Sequence, residues 1–116
     1  PATVRLTPDR TEIRADGEDL SYLLVEALDG DGNLCPLADN RVEFELQGPA
    51  EIAGVGNGNP MSMEPFQAAE RKLFHGKAML ILRSREGEPG SVRVIARAAG
   101  LQSGEANLVS VQWFSE

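Results

Sequence analysis

Apolar residues in this chain recur at every second position in short runs, and clusters of turn-forming residues separate the runs. Val4 and Leu6 alternate with polar neighbours over Thr3–Thr7, and Pro8-Asp9 closes that run. Ile13 marks a short extended piece before the turn Ala15-Asp16-Gly17. The longest predicted strand is Leu20–Leu28. Its Leu23, Val25 and Ala27 form one apolar face, and Leu20, Tyr22, Leu24 and Leu28 make the other face apolar too. Near-continuous apolarity of this kind predicts a strand covered on both sides, so a docking surface is expected there. Arg41–Gln47 alternates cleanly, with Val42, Phe44 and Leu46 inward and Arg41, Glu43 and Glu45 outward, until Gly48-Pro49. Lys77–Ser84 sets Ala78, Leu80 and Leu82 against Met79, Ile81 and Arg83. Ser91–Ala98 puts Val92, Val94 and Ala96 inside and Arg93, Ile95 and Arg97 outside, and a last strand is predicted around Ala106–Trp113. Helical character is confined to Pro65–Leu73, where Pro65 suits a first helical turn.

About seven short strands joined by turns in 116 residues predict one all-β domain over residues 1–116, an immunoglobulin-like β-sandwich. The single Cys35 excludes an internal disulfide, and the single Trp113 stands at the far end from where an antibody-type domain needs it. These two features exclude the antibody type and leave the architecture. Cys35 is expected to be a small half-buried apolar residue.

One stretch breaks the alternation. From Ile52 through Gly54, Gly56, Asn57, Gly58, Asn59 and Pro60, on to Phe74-His75-Gly76, the chain is rich in residues with special backbone needs. Asn57-Gly58 is a strong tight-turn signal, because both residues reach positive φ at low cost. Asn59-Pro60 then holds the chain extended or turned. A long polar connection on a small β scaffold is a common place for function. Phe66 and Phe74 are the large apolar groups within it, and aromatic residues on loops make good interface anchors. Arg71 and Lys72 are expected to meet acids of a neighbouring domain. The candidate docking or rim residues are therefore Asn57, Gly58, Asn59, Glu64, Phe66, Arg71, Phe74 and His75. The competing expectation is that both Phe residues plug the end of their own sandwich.

A formal charge of −7 argues against a nucleic-acid partner, which needs a basic stripe, and against adsorption to an anionic membrane. No apolar run approaches the roughly 20 residues of a spanning helix. The chain starts Pro1-Ala2-Thr3 without an initiator Met, so the expectation is a piece of a longer polypeptide.

Catalytic chemistry is sparse. Glycoside hydrolysis needs two carboxyls about 5–9.5 Å apart, one with a raised pKa. The 18 acids fall mostly at outward strand positions or in turns; Glu64, in the long connection, is the one candidate, and it has no evident acidic partner. His75 is the single histidine, so no metal site is expected, and Ser62 has no neighbouring base. Asp29, Asp31 and Asn33 match the first three ligand positions of a calcium loop. Leu34 and Asn40 then stand where glycine and glutamate are required, and a plain turn is the expectation. No catalytic residue, metal or cofactor is predicted.

The residues Thr7-Pro8-Asp9-Arg10, Ala15-Asp16-Gly17-Glu18-Asp19-Leu20-Ser21-Tyr22, Val25-Glu26 and Asp29–Asn33 carry a resemblance that continues through Val42-Glu43-Phe44, Gly48-Pro49-Ala50 and Ile52–Pro60. It then runs through Glu64-Pro65-Phe66, Arg71–Ala78 and Gly100-Leu101. Together they resemble the C-terminal immunoglobulin-like domains of glycoside hydrolase family 2 β-galactosidases, over nearly the whole chain. The Ala-Asp-Gly and Asp-Gly-Asn pieces also occur in invasin and intimin-type repeats, whose variant of the sandwich is the one expected. The Gly-Asn-Gly-Asn-Pro loop with its Glu-Pro-Phe and Phe-His-Gly continuation is the specific part. Asn59 departs from the Asp often found in the family. The resemblance implies a non-catalytic accessory domain of a large secreted or periplasmic bacterial enzyme, whose catalytic acid and nucleophile lie in a separate barrel domain. Its partners would be other domains of the same polypeptide, with carbohydrate contact only within the full-length enzyme. Two other classes compete: an adhesin-type spacer or cell-surface repeat, and a carbohydrate-binding module.

Overall fold

A computed structural model of the chain describes residues 1–57 and 69–112. Nine strands run through them: β1 (Thr3–Pro8), β2 (Glu12–Arg14), β3 (Leu20–Leu28), β4 (Arg41–Gln47), β5 (Ala50–Gly56), β6 (Glu70–Lys72), β7 (Lys77–Ser84), β8 (Gly90–Arg97) and β9 (Gly104–Val111). They form two sheets, one of four strands in the order β1-β3-β7-β5 and one of five in the order β2-β9-β8-β4-β6. The immunoglobulin-like sandwich is therefore present. The two strands beyond the expected seven or so are β5 and β6, both at sheet edges and both in the stretch read as one connection: glycines at 54 and 56 interrupt the alternation of β5, and β6 is too brief to show a period in sequence.

The alternation read from sequence is what builds the core. Val4, Leu23, Val25, Leu80 and Leu82 of the four-stranded sheet face Val42, Phe44, Val92, Val94 and Leu108 of the five-stranded one, in one continuous cluster. Register is enforced because a slip of one residue would turn the whole apolar set to solvent. One edge of the sandwich is laced by β1: the Val4 amide donates to the Gln102 carbonyl at 2.9 Å and the Gln102 amide returns to Ala2 at 2.9 Å. Gly104 is needed at that crossing, since a Cβ there would lie 2.4 Å from the Val4 carbonyl oxygen.

Two expectations are corrected. The helical turn over Pro65–Leu73 is not found where the chain is described, because Glu70–Lys72 pairs antiparallel with Arg41–Glu43 as β6; residues 65–68 lie outside the described residues. Ile95, expected outward, is 8% exposed. It stands between Glu45 and Glu105 on the outer face of its sheet. Those acids pair with Arg97 (3.4 Å) and Arg93 (2.6 Å), and the long stems of such side chains cover apolar surface.

The turn before β3 is an electrostatic knot. The Asp16 carboxylate accepts from the amides of Glu18 and Asp19, both at 2.8 Å. Asp19 accepts from Arg10 Nη2 at 2.8 Å and from the Arg14 amide at 2.8 Å. The Arg10 hydrogen bond, with the backbone amides behind it, holds the Asp19 carboxyl down to about 2.

Two predictions follow from this packing. Leu108→Ala is expected to cost about 2–5 kcal/mol in urea unfolding, whereas Val109→Ala, one residue on and 47% exposed, should cost about 0.5 kcal/mol or less. Because folding depresses the Asp19 pKa, its stabilising contribution is complete above the ordinary carboxylate range and disappears as pH falls toward 2. Asp19→Asn should flatten the acid limb of the stability profile between pH 4 and about 2, checked by urea midpoints across that window.

Candidate functional site

The stretch expected to be one long connection contains two strands. β5 ends at Gly56 on the edge of the four-stranded sheet, and β6 begins at Glu70 on the edge of the five-stranded sheet. The chain therefore crosses from one sheet to the other after Gly56 and crosses back between Lys72 and Lys77. Two side chains tie the crossing down. Asn57 Nδ2 donates to the Lys72 carbonyl at 2.7 Å. Arg71 Nη2 donates to the Val55 carbonyl at 2.6 Å, and Arg71 is 3% exposed. Each bond links the end of β5 to β6, so the open edge of the sandwich is stitched by side chains where no backbone ladder can run.

This overturns the expectation that Arg71 reaches toward a neighbouring domain. On β6 the alternation places Arg71 and Leu73 inward and Lys72 outward, and the inward guanidinium answers a buried carbonyl instead. Lys72 does face solvent, and its Nζ lies 3.5 Å from Asp39 Oδ2 of its own chain.

The return crossing is a two-residue hairpin. The Phe74 amide donates to the Lys77 carbonyl at 3.0 Å and the Lys77 amide donates back at 3.1 Å. Its central residues are His75, at φ 54°, and Gly76, at φ 77°. Among the described residues His75 is the non-glycine residue with positive φ. Positive φ at both positions gives the turn the right hand for twisted strands, and His75 sustains it at a conformational cost. Gly76 has no alternative: a Cβ there would sit 2.3 Å from the Cys35 carbonyl oxygen. The Gly76 amide donates to Ala38 and its carbonyl accepts from the Ala27 amide, both at 3.0 Å. The hairpin is thereby sewn to the loop carrying Cys35–Asn40 and to the end of β3.

Of the candidate residues, the fold thus gathers Asn57, Arg71, Phe74 and His75 at one end of the sandwich. Phe74 is half-buried and His75 exposed, with ring centroids 4.0 Å apart. Gly58, Asn59, Glu64 and Phe66 lie outside the described residues. Sequence reasoning missed Leu37, which is 92% exposed on the loop that carries Cys35 and Ala38. The available signal was Pro36 ahead of a leucine in a segment with no alternating pattern. Cys35 is half-buried against the core, as expected.

Among the described residues the acids whose titration the fold moves, Asp16, Asp19, Asp29 and Glu105, are all moved downward by hydrogen-bond donors. Asp29 accepts from the amides of Asp31 (2.9 Å) and Asn33 (3.0 Å), so its carboxylate organises a turn. No group of three or more metal-ligating side chains occurs among the described residues.

The family model for glycoside hydrolase family 2 C-terminal domain 5 matches residues 4–107. The chain belongs to that family. It is 51% identical over 102 residues to β-galactosidase BoGH2A of Bacteroides ovatus, a match covering 88% of this chain and 12% of that protein. Its fold superposes on a solved family 2 glycosyl hydrolase of Bacteroides cellulosilyticus with a TM-score of 0.88 at 42% identity, covering 92% of this chain and 15% of the other. The D00-D0 domains of intimin share the fold at a TM-score of 0.64 and 22% identity, over 91% of this chain and 45% of theirs. The family 2 domain thus spans about an eighth of the length of these two family 2 enzymes.

Replacing Arg71 by Met should cost about 2–4 kcal/mol in urea unfolding, because a buried carbonyl loses its donor, while Lys72→Met should cost about 0.5 kcal/mol or less. Gly76→Ala should cost at least about 2 kcal/mol, and His75→Asn should raise stability by about 0.5–1 kcal/mol by easing the turn.

Proposed function

We propose that this chain is a non-catalytic accessory domain of a family 2 β-galactosidase-like hydrolase, periplasmic or secreted, that packs against other domains of the same polypeptide. The observation carrying this reading is the 51% identity to a β-galactosidase of which the matching stretch forms 12%. A unit that small within a much longer relative leaves ample chain for a separate catalytic centre. The electrostatics support the same division of labour. A general acid for glycoside cleavage needs a carboxyl held protonated near neutral pH, and the shifted acids among the described residues are shifted the other way. The crossover end of the sandwich is the proposed docking or rim element: Phe74, His75 and Leu37 present apolar and aromatic surface on a base stitched rigid by Asn57 and Arg71.

The test is deletion of residues 1–116 from the full-length hydrolase, assayed with an aryl β-galactoside. The truncated enzyme is expected to keep hydrolytic activity within about 100-fold, because catalytic residues are worth on the order of 10⁴-fold or more. Its melting temperature or oligomeric state should change. Unchanged activity, melting temperature and assembly would remove the docking role, and a loss of 10⁴-fold or more would make the domain catalytic.

A further inference from the structure

The two outer faces of the sandwich differ in kind. On the five-stranded sheet the outward positions of β4, β8 and β9 carry Glu45, Arg93, Arg97 and Glu105, joined in ion pairs. On the four-stranded sheet the middle of the outer face is apolar. Tyr22 stands opposite Ile81 and Leu24 opposite Met79 on β3 and β7. On the next strand Ile81 is opposite Gly54 and Met79 opposite Gly56, so β5 offers no side chain to cover them. The result is a depression of about 360 Å³ lined by Leu24, Gly56, Met79 and Ile81, with Lys77 at its rim. Tyr22 is 42% exposed beside it. Charges at the border are already neutralised within the face: Arg5 with Glu26 at 2.8 Å, and Arg83 with Glu51 at 2.7 Å. Lys77 has no ion pair among the described residues.

We infer that this face is a docking surface for another domain of the same polypeptide, which seats an apolar side chain in the depression and presents a carboxylate to Lys77. The inference rests on the reading of the chain as one domain of a larger hydrolase. Three observations select this occupant. Four side chains, Tyr22 at 42% exposure and Leu24, Met79 and Ile81 half-buried, fall well short of the roughly 800 Å² per partner that a free-standing complex uses. A second copy arriving from solution is therefore disfavoured, while a tethered neighbour at millimolar effective concentration needs no more. The relatives supply such neighbours, since the matched unit is 12–15% of their length. Finally, pairing within the face leaves Lys77 as the uncompensated cation among the described residues, and a carboxylate answers it.

The test uses the full-length hydrolase. Met79 should be oxidised by hydrogen peroxide at least tenfold more slowly in the folded enzyme than in the guanidinium-unfolded one, read by mass spectrometry. A zero-length carbodiimide should cross-link Lys77 to an Asp or Glu outside residues 1–116. Leu24→Lys should abolish the cross-link and the protection, with Tyr22→Lys as the second variant should Leu24→Lys fail to fold; Asn107→Lys, on the charged face, should leave both intact. Met79 oxidised at the unfolded rate overturns the proposal, as does the absence of any Lys77 cross-link. A cross-link to an acid within residues 1–116 would mean that the chain covers its own face. One between isotopically distinct copies would mean a dimer, and either overturns the proposal. A hydrolase active on aryl β-galactosides with an unprotected Met79 fails this inference alone; a full-length protein without glycosidase activity fails the underlying reading.

Discussion

Arg71 gives up water to reach the Val55 carbonyl, and the shape of the molecule depends on that exchange. A two-sheet sandwich has two open sides where backbone ladders stop. On one side β1 solves this with main-chain bonds to the segment before β9. On the other the chain itself crosses twice, and no backbone register spans the gap between β5 and β6. A guanidinium is suited to the task because it is always charged, long enough to cross, and donates in a fixed plane. Asn57 repeats the device from the opposite strand with a neutral amide. Removing Arg71 strands the buried Val55 carbonyl, which costs more than the bond is worth when made.

That stitch makes the surrounding loops a platform. The hairpin at His75-Gly76 sits directly after β6, and its glycine is pressed against the Cys35 carbonyl. Loop 34–40 is therefore held by the same turn that returns the chain to β7. Exposed Leu37 and His75 and half-buried Phe74 are displayed from this base rather than from free loops. A rigid display lowers the ordering cost of any later contact. The apolar outer face of β3 and β7 is a second surface of different character, flat and made from strand positions.

Much of the fold was legible because a half-buried strand has a period of two that survives in sequence. β3, β4 and β7 begin and end where alternation and turn residues place them. The doubly apolar pattern of Leu20–Leu28 also pointed to an outer face unlike ordinary solvent-facing sheet, and Tyr22, Leu24, Met79 and Ile81 lie together there. Strands β5 and β6 were not legible, since glycines break the alternation of Ala50–Gly56 and three residues hold barely one period. The helical reading of Pro65–Leu73 leaned on local propensity, and pairing with β4 overrode it over Glu70–Lys72.

By itself the sequence determined the class of fold, the inward residues of the long strands and, through its glycine-rich and Phe-His-Gly motifs, the family. These are local properties: alternation, turn chemistry and motif spacing are written along the chain. The tertiary structure alone decided that Arg71 turns inward, that Ile95 is covered by charged neighbours, and that Gly54 and Gly56 leave Met79 and Ile81 uncovered. Each of those depends on which strand lies alongside and in what register, and that is fixed only when residues far apart in the chain are brought into one sheet.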